Sequence, residues 1–162
     1  MNAWLPLFTP LVNAWAIRQR SRVLQRGTPL SQAQQRLAAE VGVAEPGRIR
    51  LAVVPRVPIP GGPVVEQVAK RIGLPGPDVD GLTLGHAIFI RAGSLTPRLL
   101  AHECRHVQQC EALGSLRAFV AAYLRQVARH GYHAAPFEAD ARAASTHYPD
   151  EAWAEAHPEG TP

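Results

Sequence analysis

The residues of this chain whose types and spacing could do chemistry lie in Leu99-Leu100-Ala101-His102-Glu103-Cys104-Arg105-His106-Val107. On a helix, His102 and His106 stand one turn apart and project from one face. Two imidazoles so placed can share one Zn²⁺, each about 2.0–2.1 Å from the metal. Glu103 follows the first of them, where a carboxylate can take a proton from a metal-activated water. The bland alternative is two helix histidines and a surface glutamate. The neighbours argue against it: Leu99, Leu100, Cys104, Val107 and Cys110 make most of the circumference apolar, so the helix should run through the core. A glutamate and two histidines there are costly without partners, and one metal ion serves all three.

A helix has to carry the motif, and its start is written in Thr96-Pro97, with Thr as N-cap and Pro at the first position, where a missing N–H costs nothing. No Gly or Pro interrupts Arg98 to Leu113, which predicts about four turns. Ahead of it, Leu82-Thr83-Leu84 and Ala87-Ile88-Phe89-Ile90 flank Gly85-His86 and predict a tight hairpin, with His86 exposed at the turn. Ile49 to Val54 reads as a further strand. Behind it, Ser115 to His130 forms an amphipathic helix with Leu116, Phe119, Val120, Tyr123 and Val127 on one side, ended by Gly131. Pro136 opens a last helix to about Tyr148, with Glu138 and Asp140 in its first turns.

The 162 residues suit one domain with loose ends, divided into an N-terminal helical segment (1–45), a metal-binding domain (46–148) and an acidic, flexible tail (149–162). The apolar run from Trp4 to Ile17 precedes Arg18, Arg20, Arg22 and Arg26, the reverse of a signal peptide, and is too short to span a bilayer. A basic helix from Pro10 onward that docks on the domain is expected, without membrane binding. Thr28-Pro29 reads as the start of a second helix, with Ser31-x-x-Gln34 as a capping box and Gly42 as its stop. A short helix is expected over Val64 to Ile72, between loops rich in Pro and Gly.

The excess of 17 basic over 13 acidic residues comes without a nucleic-acid module, so no nucleic acid is expected as partner. Cys104 and Cys110, six apart on one helix, are about 9 Å apart along its axis, too far for a disulfide. They read as small buried residues in a reducing compartment, which predicts a cytoplasmic location. Two thiols are too few for a Cys-rich zinc site.

Thr83-Leu84-Gly85-His86-Ala87-Ile88-Phe89-Ile90 followed by Leu99 to Gln109 resembles a small bacterial zincin-like domain of unknown function, often found with extracellular contractile injection systems and related toxin loci. The likeness is close over 83–109 and loose over 49–142, and Gln108-Gln109 comes one residue earlier than the family's pair. More widely the domain is similar to the gluzincin metallopeptidases, whose third metal ligand is a Glu on a later helix. The resemblance implies an α+β, minimal zincin-like fold. In it a small antiparallel sheet with a hairpin packs on the His-Glu-x-x-His helix, further helices follow, and an edge strand can pair with an extended peptide.

A hydrolytic zinc site takes three protein ligands and an open position. With the resemblance, Glu138 is the preferred third ligand beside His102 and His106, and Asp140 and His133 remain alternatives. Glu111, five residues past His106, is poorly placed to reach back. The expected function is that of a zinc-dependent hydrolase, a peptidase acting on a peptide or protein, with Glu103 as general base. His130, Tyr132, His133 and Tyr148 are unranked candidates for the oxyanion donor. The alternative is a non-catalytic, zinc-stabilised binding or scaffold domain of a secretion or toxin-related assembly, its metal supplying folding energy. The sequence sets no oligomeric state.

Overall fold

The computed structural model describes residues 5–61, 67 and 79–150. Its elements in chain order are α1 (Leu5–Arg26), β1 (Thr28–Pro29), α2 (Gln32–Val41), β2 (Arg50–Val54), β3 (Gly81–Leu84), β4 (Ala87–Arg91), α3 (Pro97–Ala112), α4 (Leu116–His130) and α5 (Pro136–Ser145). The fold is mixed α+β. The helix expected over 64–72, apart from helical Gln67, and the tail beyond Asp150 lie outside the described residues.

The helices that frame the site start where local chemistry dictates. Thr96 accepts the Leu99 N–H at the head of α3, with Pro97 in the first position. Ser115 accepts the Ala118 N–H at the head of α4, and Gly131, at φ 76°, follows its end. No side chain of Ala135 can cap α5; instead Gln126 of α4 accepts the Phe137 N–H at 2.8 Å, which ties the start of α5 to α4. Phe119 and Phe137 stack across the same joint, their centroids 5.6 Å apart.

The sheet runs β1-β2-β4-β3. β3 and β4 form the expected antiparallel hairpin around Gly85, at φ 66°, and His86. The sheet as a whole is mixed, not antiparallel throughout: β2 lies parallel to β4, with Leu51 opposite Ile88 and Val53 opposite Ile90. Parallel neighbours need a long crossover, and residues 55–80 supply its length. β4 is one of the two inner strands, paired along its length on both sides. Ile88 and Ile90 join Leu37, Val41, Leu100 and Cys104 on one face, while Ala87 and Phe89 join Ala16, Val23, Phe119 and Leu124 on the other. Burial on both faces explains its unbroken apolar run.

Two N-terminal expectations are corrected. α1 begins at Leu5 and carries Pro10 inside it, so it is longer than a helix opening at Pro10. Pro10 removes one helical hydrogen bond, but α1 packs on β2, β3, β4 and α4, and burial of Ala16 and Val23 holds it. Thr28-Pro29 does not start a helix; it pairs antiparallel with β2 as a short edge strand, where a proline is tolerated. α2 starts three residues later on the Ser31–Gln34 capping box and stops at Gly42, at φ 107°. Among the described residues no helix is long and apolar enough to cross a membrane.

Both cysteines are free and buried. Burial pushes the Cys110 thiol up to about 11 and raises that of Cys104 further.

Candidate metal centre

α3 lays His102 and His106 one turn apart, and α5, packed along it, brings Glu138 against both. His102 Nε2 and His106 Nε2 are 3.2 Å apart. Glu138 Oε2 lies 3.4 Å from His102 Nε2, and Oε1 lies 3.3 Å from His106 Nε2. The three ligand atoms lie within 4.8 Å of one another. Glu138 is sealed, its side chain 3% exposed, whereas His102 is 17% exposed and marks the side open to solvent.

The carboxylate is incompletely satisfied. Tyr123 donates to Glu138 Oε1 at 2.7 Å, but Oε2 is buried and makes no hydrogen bond, with Arg142 no nearer than 3.8 Å. A buried carboxylate oxygen without a donor is costly. With one imidazole nitrogen against each carboxylate oxygen, the three side chains make the donor set that Zn²⁺ takes in open sites, so the residues fit the metal. Burial opposes the charge on Glu138, yet His102, His106 and the Tyr123 hydroxyl hold its carboxyl well below the usual carboxylate range. Burial likewise pulls the His106 pKa down, while Glu138 and Glu103 lift it, and the net direction is up. Burial and then the Glu138 charge raise the Tyr123 phenol.

Glu103 faces the sheet edge. Thr83 donates its hydroxyl to Glu103 Oε2 at 2.7 Å, and the carboxylate lies over Gly81, where any Cβ would overlap Oε1. Residues 81 and 83 share one face of β3, so one short strand supplies both the space and the hydrogen bond. Its charge bears on His106, Tyr123 and Tyr132.

Around His106 runs a second layer. Its Nδ1 is 2.8 Å from Gln109 Oε1. Gln109 Nε2 donates to the Phe137 carbonyl at 3.0 Å and to Asp140 Oδ2 at 2.7 Å. Arg105 grips Asp140 through Nε at 2.7 Å and Nη2 at 3.1 Å. Asp140 is therefore engaged away from the histidine pair, its carboxyl lowered first by that Arg105 hydrogen bond.

The other candidates sort by place. His133 is exposed, its ring against Tyr132 and its carbonyl accepting from Arg142, and it is outside the cluster. Tyr148 donates to Glu40 at 3.1 Å, and His130 is exposed at the end of α4. Tyr132 stands apart from these three: after burial, the charges of Glu138 and Glu103 raise its phenol. Tyr123 and Gln109 were missed as site residues. Tyr123 reads as one more apolar position of α4, although a phenol on a core-facing stripe needs a partner for its hydroxyl. Gln109 stands three residues from His106, one turn along the same face.

His86 is not exposed. It is buried, 8% accessible, because its carbonyl accepts the Arg50 N–H and its ring meets the end of α3. There His86 Nε2 is 2.9 Å from Glu111 Oε1, and Glu111 also accepts the Ala44 and Glu45 N–H groups at 2.7 and 3.2 Å. Glu45, His86 and Glu111 thus form a second convergent group, beside a cleft of about 440 Å³. Arg20 and Arg48 line that cleft, and Arg48 pairs with Glu45. Its carboxylates already have donors and two guanidiniums oppose a cation, so this group serves as a clamp between the hairpin, the 44–48 loop and α3.

Comparison with protein-family models, with curated proteins and with solved structures finds no match to this chain.

Proposed function

We propose that this chain is a zinc-dependent hydrolase, a peptidase, holding Zn²⁺ through His102, His106 and Glu138. The observation that carries the reading is the buried Glu138 carboxylate, whose Oε2 makes no hydrogen bond and lies 3.4 Å from His102 Nε2 while Oε1 lies 3.3 Å from His106 Nε2. The resemblance of 83–109 to a small bacterial zincin-like domain, and more widely of the domain to the gluzincins, supports it. Bound zinc supplies Lewis-acid polarisation and brings the pKa of water toward about 7.

The protein's own residues supply the rest. Glu103, oriented by Thr83, accepts a proton from the attacking water and delivers it to the leaving amine. Tyr132 is the preferred donor to the developing oxyanion. Tyr123 holds Glu138 through Oε1 and leaves Oε2 for the metal. Among the described residues β3 pairs only with β4, and its outer edge is where an extended peptide substrate would add as a strand.

Three protein ligands, a partly exposed His102 and the carboxylate of Glu103 favour this reading over a zinc-stabilised scaffold, which needs no base. Metal analysis of protein purified without chelator should find about one zinc per chain. Glu103→Gln should keep that zinc and abolish cleavage of a mixed peptide library. Absence of stoichiometric zinc overturns the reading. Cleavage by Glu103→Gln at the parent rate removes Glu103 as base, and zinc without cleavage by the parent leaves the scaffold.

A further inference from the structure

We propose that Gln109, Asp140 and Arg105 are positioning residues that lock the proton of neutral His106 on Nδ1 and thereby set the metal affinity of the centre. The affinity half rests on the metal reading above; the proton assignment is a property of the chain itself.

The orientation of the Gln109 amide is decided by what surrounds it. Its nitrogen faces the Phe137 carbonyl and the Asp140 carboxylate, and both groups can only accept. The NH₂ end must therefore point at them, which leaves Oε1 for His106. A carbonyl oxygen only accepts, so Nδ1 of His106, 2.8 Å away, must carry the hydrogen. Nε2 is then the nitrogen with the free lone pair in the neutral ring, and it faces His102 and Glu138.

Arg105 makes this direction hard to reverse. It holds Asp140 by two parallel donations, a fork that keeps the carboxylate ionised and its orientation fixed. A third donation, from Nη1 to the Val41 carbonyl at 3.0 Å, anchors the guanidinium to the end of α2. Donation thus runs one way, from Arg105 and from Gln109 into Asp140, and from His106 into Gln109. His106 and Gln109 are both buried, so water does not compete for these groups. Asp140 and Glu138 sit two residues apart on α5, and the same turn that delivers the proposed ligand delivers the anchor of the chain behind it. Partners of this kind orient a ligating ring and raise its basicity.

Two measurements test the proposal. In ¹⁵N-histidine NMR of the metal-free protein at alkaline pH, where the ring is neutral, His106 should be protonated at Nδ1. In Gln109→Leu it should become a mixture of tautomers. Chelator competition with zinc alone should show Gln109→Leu weakened by about 10–100-fold, the range for outer partners of a ligand. Asp140→Asn should be weakened less, because the Phe137 carbonyl still orients the amide. Thermal unfolding of each metal-free variant separates loss of affinity from loss of fold, and Asp140→Asn serves if Gln109→Leu does not fold. An Nε2-protonated His106 in the wild type overturns the chain even if zinc binds. Zinc affinity of a folded Gln109→Leu within about twofold of the parent overturns its role in binding. Absence of zinc binding in the wild type removes the metal reading and the affinity half, while the NMR arm still decides the proton.

Discussion

Two groups of histidine and carboxylate meet α3, one along its middle and one at its C-terminal end, and they differ in what their oxygens already do. In the group of Glu45, His86 and Glu111, Glu111 accepts two backbone N–H groups and faces the His86 ring, and Glu45 pairs with Arg48. In the group of His102, His106 and Glu138, one buried carboxylate oxygen has no donor at all. The group at Glu45 draws on one histidine and two carboxylates and the group at Glu138 on two histidines and one carboxylate, and in each the ligand atoms lie within 4.8 Å of one another. The contrast teaches that a cation is called for by unsatisfied acceptors, more than by the presence of His and Glu.

The comparison breaks first on stoichiometry. We expect one zinc per chain, not two, and a large loss of thermal stability on chelation. At a free zinc concentration of about 1,000 times Kd the metal contributes about 4 kcal/mol. Two equivalents of tightly bound zinc would put the second group on a par with the first. Next in size is a matched pair of substitutions read by chelator competition. Glu138→Ala should weaken zinc by more than about 100-fold, beyond the range of outer partners. Glu111→Ala should leave zinc affinity unchanged and lower stability by about 1–3 kcal/mol through the donors it strands. If Glu138 only favours its helix N-terminus and pairs with Arg142, its removal costs a few tenths of a kcal/mol and zinc stays, an outcome that would falsify the contrast.

How much of this was legible in the sequence depends on whether the signal is local. Thr96-Pro97, Ser115 and the Ser31–Gln34 box act on N–H groups within three residues, so the heads of α2, α3 and α4 can be read from neighbours alone. The His102/His106 spacing is local too. β1 is not: Thr28-Pro29 is extended only because β2 lies beside it, and the parallel pairing of β2 with β4 is settled by a distant crossover. Burial of His86 was invisible for the same reason, since a turn residue is exposed until the end of a helix packs on it. The approach of Glu138 to the histidines was suggested by a resemblance; the stacked Phe119 and Phe137 and the Gln126 cap that produce it belong to tertiary structure. Asp140, the nearest rival in sequence, differs from Glu138 by facing Arg105.

A smaller effect follows from protonation. Glu138 is held below its ordinary value of 4.5, so its ionised form stabilises the metal-free fold above that value and the contribution is lost as pH falls through the folded pKa. His106 is raised above 6.5, so its contribution is complete below that value and is lost as pH rises through the folded pKa. The two act together between about pH 4.5 and 6.5. Zinc needs neutral imidazoles, so its affinity should climb over the range in which the metal-free fold weakens. Thermal unfolding should therefore show the metal-free protein losing stability from about pH 6.5 upward while the zinc-loaded protein does not. Identical pH profiles with and without metal would mean that the His106–Glu138 contact contributes nothing in the absence of zinc.

The smallest expected effect probes the second group directly. Arg48 and Glu45 form an exposed pair, their side chains 57% and 54% accessible, and such pairs contribute under about 1 kcal/mol. Arg48→Ala should lower stability by no more than that. It releases Glu45 and removes one of the two guanidiniums lining the cleft, so it is the most favourable single change for making a second cation site there. Zinc stoichiometry should nonetheless stay at one. Glu111 still accepts the Ala44 and Glu45 N–H groups, His86 still faces it, and Arg20 remains in the cleft. A second zinc in Arg48→Ala would show that one guanidinium had been the only barrier. The distinction between the two groups would then lie in nearby positive charge, and not in whether the buried carboxylate oxygens already have donors.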